Sequence, residues 1–233
     1  ADSLMGGAGA DTLIGGNSSD TLIGGNGRDE LRGNNGAELL DGGGGADTVK
    51  GGQGKDTLIG GNSSDKLSGQ NGDDLIRGNN GADTLNGGGG RDTIKGGQGK
   101  DDIVGGDGAD KLSGQNGNDT IEGNDGADVL NGGGGKDQLI GGAGDDTLKG
   151  GDGADTFVFK QGDDSDLIQD FNTSQDRLSL DADLLSGLTN GQQIVDAFGT
   201  QGGDVVLDFG GGDMIRLDGV SNLTDLAGQI DII

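Results

Sequence analysis

From Gly6 to Val158 the chain divides into seventeen consecutive nonapeptides without an insertion, and no other feature limits its possible folds so severely. The first position is Gly in all seventeen, and the fourth is Gly in all but two, Ser18 and Ser63. The sixth is Asp in all but one, Glu38, and the eighth is always apolar, from Leu13 to Phe157. A fixed period of this kind marks a repeat architecture, in which each unit buries its apolar side only by stacking on its neighbours. Glycines at fixed offsets permit positive φ and close backbone approach, as tight turns require. One apolar residue between two mostly polar ones reads as a very short strand with its middle side chain turned inward. Nine residues therefore predict a six-residue turn and a three-residue strand. Two such units make one coil, with the turns stacked on opposite edges, two parallel sheets between them and neighbouring coils about 4.8 Å apart.

Stacking brings each position-six acid beside the acids eighteen residues away on either side, as Asp47 beside Asp29 and Asp65. Two such charges about 5 Å apart repel by roughly 0.8 kcal/mol in water and about 3 kcal/mol at an effective dielectric of 20. Repeated down both edges, that repulsion outweighs a core one side chain deep, so the coil is not expected to form alone. A hard dication between successive turns reverses the sign, because two carboxylates and several turn carbonyls make an oxygen cage suited to Ca²⁺. The composition agrees. Forty-one acids against fifteen bases give a net charge of −26, with no His and no Cys. This excludes thiolate sites and the usual zinc ligand, and argues against nucleic acid and anionic membrane surfaces as partners. No run approaches the roughly 18 apolar residues of a membrane span, and Ala1 to Met5 do not open a signal peptide.

The unit GGxGxDxUx (U apolar), as in GGAGADTLI at 6–14 and GGQGKDTLI at 51–59, resembles the repeats-in-toxin (RTX) calcium-binding nonapeptide. The resemblance implies an all-β fold, a right-handed parallel β-roll (two-sheet solenoid), with a C-terminal β-rich cap containing short helices. The metal ligands expected are Asp11, Asp20, Asp29, Glu38, Asp47, Asp56, Asp65, Asp74, Asp83, Asp92, Asp101, Asp110, Asp119, Asp128, Asp137, Asp146 and Asp155. Backbone carbonyls of turn residues such as Gly42, Gly44, Gly87, Gly89, Gly132 and Gly134 complete the expected set. Seventeen turns in two stacks offer on the order of fifteen gaps for Ca²⁺.

Departures from the repeat carry expectations too. Glu38 and Ser18 belong to turns that share a gap, so the weakest site is expected between 15–20 and 33–38. Asn34, Gln70, Asn79, Gln115 and Asn124 replace the second Gly and are expected to bind more loosely. A longer period of 45 residues relates GGGGADTVK at 42, GGGGRDTIK at 87 and GGGGKDQLI at 132. Being two and a half coils, it puts successive copies on opposite sheets and reads as duplication history. Position seven is Thr nine times, which raises an ice-binding threonine ladder. Along one sheet, however, Thr12, Thr48, Thr84 and Thr120 alternate with Glu30, Lys66, Asp102 and Gln138.

Leu, Ile, Val and Phe make up 27 of residues 1–158 but 24 of residues 159–233, while Gly falls from 47 to 11. This predicts two parts, an RTX calcium-binding β-roll over 1–158 and a capping region over 159–233. In the second part, 164–171 and 176–180 alternate like strands and 202–217 reads as a hairpin. Gln192 to Phe198 and Leu223 to Gln229 suit short helices, and Phe157, Phe159, Phe171, Phe198 and Phe209 supply the aromatic core. The segment GADTFVF…DLIQDF…QDRLSL also resembles the closure of the repeats in secreted RTX proteases and alginate epimerases. In such proteins the extreme C-terminus is an uncleaved type I secretion signal, which Asp231-Ile232-Ile233 matches. At the other end, Asp2 and Leu4 are already in phase with the repeat. This reads as a piece of a longer protein, or one cut within the array, with any catalytic chemistry upstream.

The function expected is a non-catalytic calcium-binding module, a monomer, that folds on Ca²⁺ outside a bacterial cell and supports type I secretion of a larger protein. Its partners are then calcium ions and the type I secretion apparatus. No HExxH, GxSxG or phosphate-binding loop with lysine appears, so no catalytic residue is assigned. The alternative is an adhesive surface for an anionic polysaccharide such as alginate, carried by Arg32 with Lys50 on one sheet and Arg77 with Lys95 on the other.

Overall fold

The computed structural model describes residues 1–201 and 204–233. The chain winds into a parallel β-solenoid of about ten coils with two sheets. One sheet has thirteen strands and the other eleven, and consecutive strands of the repeat alternate between them. Register is uniform at eighteen residues: Thr57 pairs with Leu75, Leu58 with Ile76 and Ile59 with Arg77. The position-eight side chains from Leu22 to Leu139 are almost completely buried and form a single file of core residues between the sheets. Each contributes about 1.5–3 kcal/mol by leaving water.

The strands are longer than the three residues expected. The strands from Ser3–Ala8 to Thr147–Gly153 have six or seven, as in Thr57–Asn62, and cover positions seven to nine and then one to three. The ladder runs on through the glycines, with Gly61 opposite Asn79 and Asn62 opposite Asn80, and skips only position one. The amide of Gly54 donates to the carbonyl of Asn71 at 2.8 Å, extending the bonding into the corner. Here Gly is obligatory. At Gly54 (φ +125°) a Cβ would lie 1.5 Å from the carbonyl oxygen of Gly36 in the preceding coil.

The outward row beside the core is interrupted as the sequence implies: Thr12 pairs with Glu30, Glu30 with Thr48 and Thr48 with Lys66. No continuous threonine face forms there.

Both sheets continue past the last nonapeptide. Ser165–Ile168 pairs in parallel with Thr147–Gly153, and Arg177–Leu180 with Thr156–Phe159. Beyond them, Asp213–Leu217 pairs in parallel with Ser165–Ile168 and forms an antiparallel hairpin with Val205–Gly210. Gly202 and Gly203, which open the expected hairpin segment, lie outside the described residues. The helix Gly191–Phe198 is capped by the Asn190 side chain, which accepts from the Gln193 amide, and it buries Ile194 and Val195. A short helix at Leu223–Leu226 leads through a 3₁₀ turn at Ala227–Gln229 into the final strand, Ile230–Ile232. That strand pairs with Leu178–Leu180, so Asp231 and Ile232 of the C-terminal tripeptide belong to the eleven-stranded sheet. Phe157 packs on Phe171, and Phe209 on both Phe159 and Phe198. No helix among the described residues is long and apolar enough to cross a membrane.

Candidate metal centre

The position-six acids stand in two files, one along each edge of the solenoid. Within a file each carboxylate reaches the preceding coil: Oδ1 of Asp47 accepts from the amide of Asp29 at 2.8 Å, and Oδ1 of Asp65 from the amide of Asp47 at 2.8 Å. Bonds of this kind link both files at 2.6–3.1 Å from Asp2 and Asp11 onward. The second carboxylate oxygen is different. On all seventeen acids of the repeats it is buried and has no hydrogen-bond partner, and on Glu38 both oxygens are in that state. A buried, half-satisfied carboxylate is costly, and seventeen in register make a systematic feature of the molecule.

The unpartnered oxygens point to one place in every coil. Around the Cβ that Gly24 lacks, Oδ2 of Asp29 lies at 2.5 Å and the carbonyl oxygen of Gly42 at 2.6 Å. The equivalent pairs are Asp74 with Gly87 around Gly69, at 2.2 and 2.7 Å, and Asp119 with Gly132 around Gly114, at 2.2 and 2.8 Å. Position one is always Gly because a side chain there would fill the cradle in which these oxygens converge. The carbonyls of Gly44, Gly89 and Gly134 are placed differently, since each already accepts from an amide of the preceding coil, Gly27, Gly72 and Gly117. A carbonyl has two lone pairs, so one remains on each. Among the described residues no three acidic side chains cluster in the manner of a compact metal site. The acids lie in single file, and a hard cation between coils would take its remaining ligands from backbone oxygen. Such an all-oxygen donor set fits Ca²⁺ and does not fit a thiolate- or imidazole-binding metal.

Burial raises many of these acids above the ordinary aspartate value of 3.8, Asp47, Asp83 and Asp110 among them. Asp65, Asp74 and Asp146 are pushed up to about 7, and Asp92, Asp101, Asp119, Asp128, Asp137 and Asp155 to about 6. Loss of water is the largest cause. The amide of the preceding coil pulls the other way, and neighbouring acids of the same file add to the rise in most of them. Glu38 is pushed to about 8 by burial and then by the Asp56 carboxyl beside it. Its longer side chain also breaks the file. Among the described residues, Asp20 is the one position-six amide of the repeats not bonded to the acid of the next coil, which here is Glu38.

Two residues that the nonapeptide reading missed extend the files. Oδ1 of Asp166 accepts from the amide of Asp146 at 3.1 Å, and Oδ1 of Asp176 from the amide of Asp155 at 2.9 Å. Their separations are 20 and 21 residues, because the turns before them are longer. The signal that survives is the triplet of acid, any residue and buried apolar residue, in Asp166-Leu167-Ile168 and Asp176-Arg177-Leu178. Asp166 is the most perturbed acid of its file, raised to about 9 by burial and then by Asp146.

These features define a class: a parallel β-solenoid whose repeat places one acid per nonapeptide in a file along each edge. The model of the RTX calcium-binding nonapeptide repeat (4 copies) matches eight segments, 1–31, 32–67, 59–94, 68–103, 77–112, 95–130, 104–139 and 131–166. Together they cover residues 1–166 of 233, and the chain belongs to that family, whose repeats bind calcium. No curated protein sequence matches it. Among solved structures, it is similar to the extracellular lipase LipA from Serratia marcescens, at 21% identity and a TM-score of 0.44, over 87% of this chain and 44% of the lipase. It is also similar to the AlgE6R2 and AlgE6R3 subunits of the mannuronan C5-epimerase from Azotobacter vinelandii. The first is 33% identical with a TM-score of 0.42, over 55% of this chain and 90% of the subunit. The second is 29% identical with a TM-score of 0.28, over 59% and 80%. The chain spans less than half the length of the lipase.

Proposed function

We propose that the chain is a non-catalytic calcium module that is unfolded where calcium is scarce and folds where it is plentiful. Calcium ions, on the order of fifteen, sit between successive turns, held by the position-six acids from Asp11 to Asp155 and by turn carbonyls such as that of Gly42. Asp166 and Asp176 close the two files. The observation that carries this reading is the buried, unpartnered carboxylate oxygen repeated in every nonapeptide. Without a cation the files repel themselves, and binding free energy becomes folding free energy. An unfolded chain in a calcium-poor cytosol suits export through a type I apparatus, and millimolar calcium outside a bacterial cell would then fold it. In this reading residues 1–158 are the calcium module, while 159–233 cap its open edge and end in the secretion signal. Capping agrees with the need of a solenoid to cover its last strands.

Far-UV circular dichroism during a calcium titration from chelator, repeated with magnesium, tests the reading. A cooperative change from coil to β-signal between micromolar and millimolar calcium, absent with magnesium, is the expected result. A chain fully folded in chelator would defeat it.

A second reading, a surface for an anionic polysaccharide, is favoured by one observation. Arg32 and Lys50 are register neighbours on one sheet, and Arg77 and Lys95 on the other.

A further inference from the structure

On the thirteen-stranded sheet the outward residues change character along the solenoid axis. Position nine runs Ile23, Asp41, Ile59, Arg77 and Lys95 in neighbouring strands, and position seven carries Leu39 and Leu75 on either side of Thr57. Residues two apart on a strand share a face, so the two rows form one surface. Its apolar members are incompletely covered: Leu39 is 41% exposed, and Ile23, Ile59 and Leu75 are half-buried. The same coils on the eleven-stranded sheet present Arg32, Lys50, Ser68 and Asn86 at position nine, and no Leu, Ile or Val at position seven. Outward aliphatic residues are therefore gathered on one face. Asp41 sits half-buried between Ile23 and Ile59. Among the described residues, neither it nor Arg77 has an ion-pair or side-chain hydrogen-bond partner. A half-buried carboxylate without a partner is costly.

A second copy, turned over by a two-fold axis along the strand Thr57–Asn62, complements each of these features. Such an axis reverses the order of the coils and keeps the position along the strand. Asp41 of each copy then faces Arg77 of the other, Leu39 faces Leu75, and Thr57 and Ile59 face their own counterparts. Sheets stacked face to face lie about 10 Å apart, a gap that a short carboxylate and a long guanidinium arm span together. Lys95 falls over Ile23, which its alkyl stem can cover. Position two fits as well. Gly7 and Gly43 leave one half of the face bare, while exposed Asn79 and Gln115 stand on the other half and help to line a groove of ≈ 460 Å³. The axis puts Asn79 over Gly43 and Gln115 over Gly7, so raised residues meet bare backbone.

We propose that the outward face of the thirteen-stranded sheet is a self-complementary interface through which two copies of this chain pair, with Ile59 on the axis and reciprocal Asp41–Arg77 ion pairs to either side. This replaces the monomer expected from the sequence. The seven coils from Met5 to Ser113 present a face of about 34 Å by about 20 Å at the spacing and rise of parallel strands. Two such faces bury about 1,300 Å², at the lower end of the roughly 1,200–2,000 Å² of specific interfaces, which suits a reversible dimer. The contact is isologous, so pairing uses up the face and stops at two copies. The interface exists only on the folded roll, and the proposal therefore rests on the calcium reading. Bound dications also offset the charge of −26 that would otherwise hold two copies apart.

The test is analytical ultracentrifugation of the full chain in saturating calcium over a wide range of concentration, with circular dichroism on each sample. The wild type should pass from monomer to dimer mass and no further. D41R and R77D should each remain monomeric over the same range, with the wild-type calcium-induced spectrum. An equimolar mixture of the two should regain the dimer, because each reversed charge then meets its opposite, and the double variant D41R/R77D should regain it for the same reason. S68R, on the other face, should leave the dimer unchanged. A folded wild type that stays monomeric overturns the interface, as does a dimer unmoved by D41R and R77D or equally lost in S68R. A mixture no better than its components overturns the two-fold register, and growth beyond the dimer overturns the closed contact. A chain that stays unfolded in calcium defeats the calcium reading and the dimer together, and the spectrum separates that result from a folded monomer.

Discussion

Replacing Asp92 by Asn removes one charge from the middle of a file and little else. Oδ1 of Asp92 accepts from the Asp74 amide at 2.7 Å, and the Asp92 amide donates to Asp110 at 2.8 Å. Asparagine keeps the shape, and its carbonyl oxygen keeps the first bond. Its effect should have opposite signs in the two states of the chain. In chelator, fully ionised neighbours at the strand spacing repel by about 3 kcal/mol each at an effective dielectric of 20. Part of that is already relieved by protonation, because Asp92 is raised to about 6 and Asp74 to about 7. The variant should therefore be no less stable than the wild type there, and slightly more so. On the proposed reading, Asp92 serves the gaps on both sides in calcium. An ion at a hundred times its dissociation constant stabilises by about 2.7 kcal/mol, so weakening two sites costs up to about 5 kcal/mol. That is comparable with the whole stability of a small domain, about 5–15 kcal/mol. The neighbouring Thr93→Ala change, on an outward, half-buried side chain, should stay within about 0.5 kcal/mol. Urea unfolding in millimolar calcium, and the residual β-signal by circular dichroism in chelator, measure these. Equal destabilisation of D92N in both media would mean that the carboxylate acts only through packing and hydrogen bonding, and the charge argument would be refuted.

Glu38→Asp should repair the broken file by giving the Asp20 amide its acceptor, worth about 1.5–3 kcal/mol for a bond to a charged group. A thermal midpoint in calcium that fails to rise would show that Glu38 is not the weak rung. The pH dependence follows from the raised acids. Their folded values of about 6 to 7 exceed the ordinary 3.8, so the folded chain binds protons more tightly than the unfolded one. In chelator, the stability this provides is complete below about pH 4 and is lost as pH rises through 6 and 7. Circular dichroism in chelator should accordingly show more β-structure at pH 5 than at pH 8, and the calcium midpoint should rise on acidification as protons compete for the same oxygens. Asp166→Asn and Asp176→Asn each weaken one terminal gap and should cost about half as much as D92N. Hydrogen exchange should then quicken in 141–168 or 150–180 respectively, while the central coils keep their protection.

Much of this molecule is legible in its sequence because the repeat is short and every unit repeats the same local problem. The inward file from Leu13 to Phe157 follows from the apolar period, and the two acid files from the spacing of nine doubled to eighteen. Both depend on counting alone, and counting succeeds while no residue is inserted. Six-residue strands were not legible, because the ladder through the position-two and position-three residues is made by backbone groups that leave no side-chain pattern. Asp166 and Asp176 escaped for a related reason. Longer turns precede them, and which coil an acid lies beside is then fixed by strand pairing, since the distance along the chain no longer determines it. The outward faces show the same limit. The sequence places Arg32 beside Lys50 and Arg77 beside Lys95. Only the packed solenoid stands Asn34 and Gln70 over a buried Gly52, because burial of a glycine depends on the side chains of two other coils. Local chemistry, repeated in register, determined the coil and its acids. Contacts between coils decided where the files end and what the outward faces can hold.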